Sequence, residues 1–163
     1  LAELAATDVM WKVYGRAAND VWLVGTNGKT VHYDGVAMTI TDANVGESLF
    51  TVHGDARGFV AVGGFGGGVL LEHDGQAWQN HSPSGALGLI GVAVADSVGY
   101  AVGQYGDVWR RDGAGWVRDP TGFVLDESLH GVWIDPERGI WTVGGQVLAF
   151  PLVRGVLLHK KGS

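Results

Sequence analysis

Four copies of a Val-Gly pair pace this chain: Val24-Gly25, Val62-Gly63, Val102-Gly103 and Val143-Gly144 stand 38, 40 and 41 residues apart. Other markers keep the same register. Trp11, Leu49 and Leu89 lie thirteen residues before the first three valines, and Leu129 lies fourteen before the fourth. Asp-Gly recurs at Asp34-Gly35, Asp74-Gly75 and Asp112-Gly113, and Trp78 and Trp116 each follow their pair by three residues, with Met38 in the corresponding place of the first copy. Self-similarity at a fixed period of this length is the signature of a repeat architecture, in which each copy is one supersecondary unit stacked on the next.

Each copy reads as four short strands. The first is apolar, the second ends in Val-Gly, a third follows a Gly-rich turn, and an Asp-Gly turn leads to the fourth. Asp-Gly supplies the positive φ of a tight hairpin, so the third and fourth strands are expected to pair. Four strands in about forty residues is the spacing of a β-propeller blade. The expectation is an all-β propeller domain, or part of one, with repeats at 11–48, 49–88, 89–128 and 129–163. A two-sheet sandwich would lack this long-period identity. Composition agrees: Gly is 28 of 163 residues and charged residues are 17%. So much glycine disfavours long helices, each costing roughly 1 kcal/mol per position, and the modest charge disfavours disorder.

The run Asn19-Asp-Val-Trp-Leu-Val-Gly-Thr-Asn-Gly-Lys-Thr-Val-His-Tyr-Asp-Gly35 resembles the bacterial propeller repeats of the form D-V-W-A-V-G-x-x-G-x-I-x-H-Y-D-G. These are similar to the repeats of photosystem II assembly-factor propellers and to Asp-box (BNR-like) repeats. The likeness runs from about Trp11 to Gly162. It departs from a true Asp-box, S-x-D-x-G-x-T-W, because none of the three Asp-Gly turns carries that Ser or Thr, so sialidase chemistry does not carry over. The resemblance implies a propeller and an extracellular, periplasmic or cell-envelope location.

The fourth copy departs from the others. A nine-residue segment, 146–154, stands where the second copy has a short turn, and the fourth strand is missing after Gly155-Val-Leu-Leu-His-Lys-Lys-Gly162. Residues 1–10 are a candidate closing strand. Four blades can close alone, two chains can make a homodimeric ring of eight, or the chain can be part of a larger ring, since propellers have about four to eight blades. Within the segment, Val147, Leu148, Phe150 and Leu152 are apolar without a place in the repeat. They read as a protein contact or self-association surface, or as a hairpin extension folded on the ring.

Charge and chemistry narrow the function. Eleven basic against 17 acidic residues give a net charge of -6, which opposes nucleic-acid binding. There is no cysteine, and no apolar run reaches the roughly 18 residues of a membrane span. The six histidines form no metal signature, no G-x-S-x-G occurs, and Asp126-Glu127 are adjacent rather than facing each other across a cleft as glycosidase carboxylates do. No cofactor is expected. Trp22, Trp141, Trp78 and Trp116 sit at repeated positions and read as core. Positions that vary between copies are better site candidates: Lys12, Phe50, Ile90 and His130, one residue after the first-strand marker, and Gly15, His53, Ala93 and Trp133, four after it. From these, His53, His130 and Trp133 are the candidate ligand-binding residues, lining the channel with Trp133 stacking on a flat ligand face; as a structural alternative they plug it. The expected function is a noncatalytic interaction module for a protein or glycan. The alternatives are a propeller lectin with aromatic sugar pockets and a fragment of a propeller glycosidase or lyase.

Overall fold

The computed structural model describes residues 3–113, 115–146 and 150–162. Among the described residues fifteen strands form four antiparallel sheets, each a simple up-and-down meander. Sheet 1 is β1 (Met10–Ala17), β2 (Asp20–Gly25), β3 (Lys29–Tyr33) and β4 (Met38–Asp42). Sheet 2 is β5 (Leu49–Asp55), β6 (Gly58–Gly63), β7 (Val69–His73) and β8 (Trp78–Asn80). Sheet 3 is β9 (Leu89–Ala95), β10 (Val98–Gly103), β11 (Val108–Asp112) and β12 (Gly115–Arg118). Sheet 4 has three strands, β13 (Ser128–Ile134), β14 (Ile140–Gln146) and β15 (Val153–Lys160). No helix among the described residues is long and apolar enough to cross a membrane.

The sheets stack through their first strands, β1 beside β5, β5 beside β9 and β9 beside β13. Alternation along each strand then gives every sheet one face toward its predecessor and one toward its successor. Three apolar cores result. Trp22 and Val24 meet Val52, Phe59, Ala61 and Leu71 between sheets 1 and 2. Val60, Val62 and Leu70 meet Val92, Val94, Ala101 and Trp109 between sheets 2 and 3. Tyr100, Val102 and Val108 meet Leu129, Ile140, Val132 and Leu158 between sheets 3 and 4. Among the described residues no comparable packing joins β13 to β1 and no core spans sheets 4 and 1. The propeller blades therefore form an open arc.

The outermost strands close the junctions. Trp78 of β8 reaches back to Trp22 of sheet 1, ring centroids 5.2 Å apart, and the indole of Trp116 on β12 donates to Glu72 of sheet 2. Sheet 4 has no such strand. Where its tryptophan would sit, an open groove of about 470 Å³ runs between sheets 3 and 4, lined by Tyr100, Val108, Ile140, Thr142, Leu158 and Lys160. Residues 3–9, the expected closing segment, take another course. They lie against sheet 1, where Val9 exchanges hydrogen bonds with Thr26, and among the described residues β15 pairs only with β14.

Two local readings change. Met10, not Trp11, is the first-strand partner of the repeated glycine: Met10 pairs with Gly25 as Leu49 does with Gly63, Leu89 with Gly103 and Leu129 with Gly144. An irregularity between Gly15 and Ala17 places Arg16 as an extra residue and moves the first copy by one. The Asp-Gly hairpins of the first two copies are four-residue loops closed by Tyr33–Met38 and His73–Trp78. Gly35 and Gly75 do take positive φ, 95° and 97°. The aspartate shapes the loop, because Asp34 Oδ1 accepts from the N–H groups of Val36 and Ala37, and Asp74 Oδ1 from those of Gln76 and Ala77. These backbone donors hold both carboxyls below the usual range.

Candidate functional site

In each sheet the start of the first strand faces the end of the second, so both lie at the end that carries the connection from second to third strand. Bulged residues occupy this end, one after each marker: Trp11, Phe50 and His130 sit in the register breaks after Met10, Leu49 and Leu129, with Ile90 in the same place of sheet 3. A bulge re-aims the side chain it carries. Trp11 meets Phe50 edge-on at 6.1 Å, and Phe50 meets Phe65 of the β6–β7 connection at 4.8 Å. Thr51 Oγ1 donates to the Ile90 carbonyl at 2.7 Å, tying sheet 2 to sheet 3 at the same level.

The result is an aromatic rim open to solvent. Trp11 is 52% exposed, Phe65 64% and Tyr105 65%. Tyr105 occupies the tip of the β10–β11 connection, Gln104–Gly106, with φ 54° and ψ 35°. The same place in the first copy is Asn27, at φ 53°, a residue that tolerates the left-handed region where a bulky aromatic does not. Such strain costs on the order of 1–3 kcal/mol and concentrates at functional sites. Beside Tyr105 a groove of about 340 Å³ is lined by Gln104, Asp126, Glu127, Gln146 and Arg154, and Arg154 pairs with Glu127 at 3.3 Å.

The residues expected to bind ligand are spread over the arc. His130 is exposed on the rim. Trp133, three positions along β13, points away from the sheet 3 junction and is 59% exposed. His53 lies in sheet 2, on the far side of sheet 3 from both, half-buried beneath Tyr14 at 4.2 Å, with Nδ1 accepting the Val94 N–H. Burial pushes its pKa down. Phe150 and Leu152 are exposed between β14 and β15, while Val147 and Leu148 lie outside the described residues. Trp11, Phe65 and Tyr105 escaped the sequence reading. Phe65 and Tyr105 were legible as aromatics at the centre of matched Gly-rich turns, and Trp11 was hidden by the shifted register of the first copy.

Inside the junctions, polar groups serve each other. Arg111 donates to Glu72 Oε1 at 3.2 Å, Trp116 Nε1 donates to the same oxygen at 2.8 Å, and Asp55 lies 3.7 Å from the guanidinium, with Arg111 and Asp55 buried and Glu72 partly exposed. On the uncovered face of sheet 4, Asp135 accepts from the Gly139 amide, the Trp141 indole and the Glu137 amide, which hold its carboxyl low.

Four stacked antiparallel meanders with inner first strands make this a propeller-type scaffold. No protein-family model and no curated protein matches the chain. Among solved structures it is similar to the computationally designed Ika4 protein, with TM-score 0.70 and 11% identity over 98% of this chain and 94% of that one. It is also similar to YCF48 from Cyanidioschyzon merolae, with TM-score 0.61 and 14% identity over 99% of this chain. The chain spans 59% of that YCF48 chain. At these identities the likeness concerns the fold alone.

Proposed function

We propose that this chain is a noncatalytic interaction module that presents the aromatic rim of a propeller arc to a protein partner. The observation that carries the reading is the set of solvent-exposed rings, Trp11, Phe65 and Tyr105, gathered at one end of sheets 1 to 3. Exposed apolar groups in proximity mark contact surfaces, and aromatic anchors dominate interface energetics. The strained backbone under Tyr105 supports it, since a residue selected for stability alone would be the Asn found in the first copy.

A glycan partner is favoured by one further feature. The groove beside Tyr105 sets a single ring against six polar or charged side chains, Ser128 among them, the combination of stacking face and hydrogen-bonding groups that a sugar requires.

Titration of a panel of neutral and acidic oligosaccharides, and of apolar and proline-rich peptides, followed by tryptophan fluorescence and calorimetry, tests both readings. Binding is expected to weaken at least about tenfold in Trp11→Ala and Phe65→Ala, consistent with anchor residues. Tyr105→Asn is the discriminating variant. It is expected to raise stability by about 1 kcal/mol through relief of strain while weakening binding. Binding untouched by all three substitutions overturns the rim as the site. Hydrolysis of any panel member that is abolished by replacing Asp126 or Glu127 overturns the noncatalytic reading.

A further inference from the structure

The two ends of the arc carry faces that interior sheets keep covered. In sheet 1 the cross-strand row Tyr14–Trp22–His32 faces sheet 2. Trp22 stacks on His32 at 4.5 Å and 20°, and sheet 2 closes over it with His73 at 4.6 Å, Trp78 at 5.2 Å and Phe59 at 6.1 Å. Trp22 is 6% exposed as a result. Sheet 4 repeats this row position by position as Trp133–Trp141–His159. Trp141 stacks on His159 at 3.9 Å and 16°, the same geometry, but no described residue covers it. Trp133 is 59% exposed, and Leu157 on the same face is 64% exposed.

Sheet 1 carries the reciprocal surface. Pairing places Val21, Tyr33 and Met38 where sheet 2 has Phe59, His73 and Trp78. Val13, Leu23 and Ile40 form the adjoining row, with Val31 between them already buried. Apart from the cross-strand pair Lys29 and Asp42 at one end, the face is apolar. One chain therefore bears both halves of one junction.

We propose that a second copy of this chain occupies both faces: the Trp133–Trp141–His159 face of each copy docks on the Val21–Tyr33–Met38 face of the other, and the two junctions close a ring of eight sheets. The occupant is argued from continuity with the interior. The missing contact is a fourth junction of the kind the chain already makes three times, and its two sides differ from the first junction in compensating directions. Sheet 4 has the larger Trp133 where sheet 1 has Tyr14, while the receiving face has the smaller Val21 for Phe59 and Met38 for Trp78 and the larger Tyr33 for His73, so gains and losses of volume offset each other in part. A head-to-tail contact either closes into a ring or runs on as a filament, and eight blades lie within the range of closed propellers. The inference is independent of the partner proposed for the rim, which lies at the end of the strands rather than on the sheet faces.

Light scattering over a dilution series reads the outcome. The expected mass is twice the 17.2 kDa of one chain, constant through the micromolar range. Trp133→Asp and Tyr33→Asp should each yield monomers with unchanged far-UV circular dichroism. Should either unfold, Leu157→Lys and Met38→Lys probe the same two faces at exposed positions. An equimolar mixture of the two faces' variants regains the two-chain mass with weaker affinity, because one of its two junctions is intact; a dimer formed by one face packed on its own copy would not behave so. A chain monomeric at every concentration overturns the proposal and assigns the faces to sheets outside this sequence. A mass that climbs without plateau overturns the closed ring, and a dimer indifferent to both substitutions overturns the faces.

Discussion

The glycine of each Val-Gly pair is set by a neighbouring carbonyl rather than by its own backbone angles. Gly25 and Gly103 are extended, with φ near -156° and -161°, a conformation any residue adopts. A Cβ would overlap the carbonyl oxygen of Val9 at Gly25, Ser48 at Gly63, Gly88 at Gly103 and Ser128 at Gly144. In the first three copies that oxygen accepts the N–H of the residue after the glycine, Thr26, Gly64 or Gln104, at 2.9 to 3.0 Å. The first strand thus enters each sheet by pressing its backbone against the second, and only glycine leaves room. Gly63→Ala is expected to cost about 1–3 kcal/mol through overpacking against a backbone atom that cannot rotate away. Gly67→Ala, with open space around it, should stay within about 0.5 kcal/mol, and urea denaturation of both variants measures the difference. A second residue-scale effect depends on pH. Burial is the main reason that His53 and His73 titrate below the ordinary histidine range. The unfolded chain then takes up protons first, so stability is full above about pH 6.5 and falls as pH drops through the lowered folded values. His53→Gln, which keeps an acceptor for the Val94 amide, should flatten the loss of stability seen between about pH 7.5 and 5.5.

At the scale of elements, the sheets were legible because repetition averages over local ambiguity. Four matched copies fixed the number of strands, their order and the position of the hairpins, and each was found. Departures came where one copy broke register. Arg16 adds one residue to β1, and counting along the chain therefore aligned Trp11 with the leucines and missed the Tyr14–His53 contact at 4.2 Å. Trp22 and Trp141 hold equivalent places in their strands and both read as core, yet Trp22 is buried and Trp141 half-exposed. A repeat encodes which way a side chain points, and burial depends on whether another sheet lies there. The candidate site was less legible for the same reason: exposure of Phe65 and Tyr105 follows from how the ends of neighbouring sheets line up. The Arg111 cluster shows what sequence hides within an element. Arg111 and Asp55 occupy adjacent sheets with side chains 5% and 7% exposed, and Glu72 completes the group. Arg111→Met strands the buried Asp55 carboxylate and takes the cation from the partly exposed Glu72, and is expected to cost about 3 kcal/mol. Glu72→Gln still accepts from Trp116 and should cost less. Chemical denaturation of the two variants checks the order, and an Arg111→Met protein as stable as the wild type would refute a structural role for the cluster.

For the whole molecule, an open stack means that stability is passed between neighbours. Each core joins two adjacent sheets only, so sheets 2 and 3 are held on both faces while sheets 1 and 4 are held on one. Sheet 4 is the least secured, since it also lacks the outer strand whose tryptophan plugs the junction elsewhere, leaving the groove bordered by Tyr100 and Leu158. The bond from Lys160 to Asp119, reinforced by Tyr100, is the main polar tie across that groove. In such arrangements local openings span a range of free energies, lowest where few buried contacts cross. Amide hydrogen exchange on a single-chain variant such as Trp133→Asp should therefore show β14 and β15 exchanging first, β1 and β2 next, and the amides of β6, β7, β9 and β10 only with global unfolding. Addition of wild-type chain should slow exchange selectively in the first and fourth sheets as their faces are covered. Uniform protection across all four sheets in the isolated variant would contradict the nearest-neighbour account, because it requires coupling between sheets 1 and 4 that the arc does not supply.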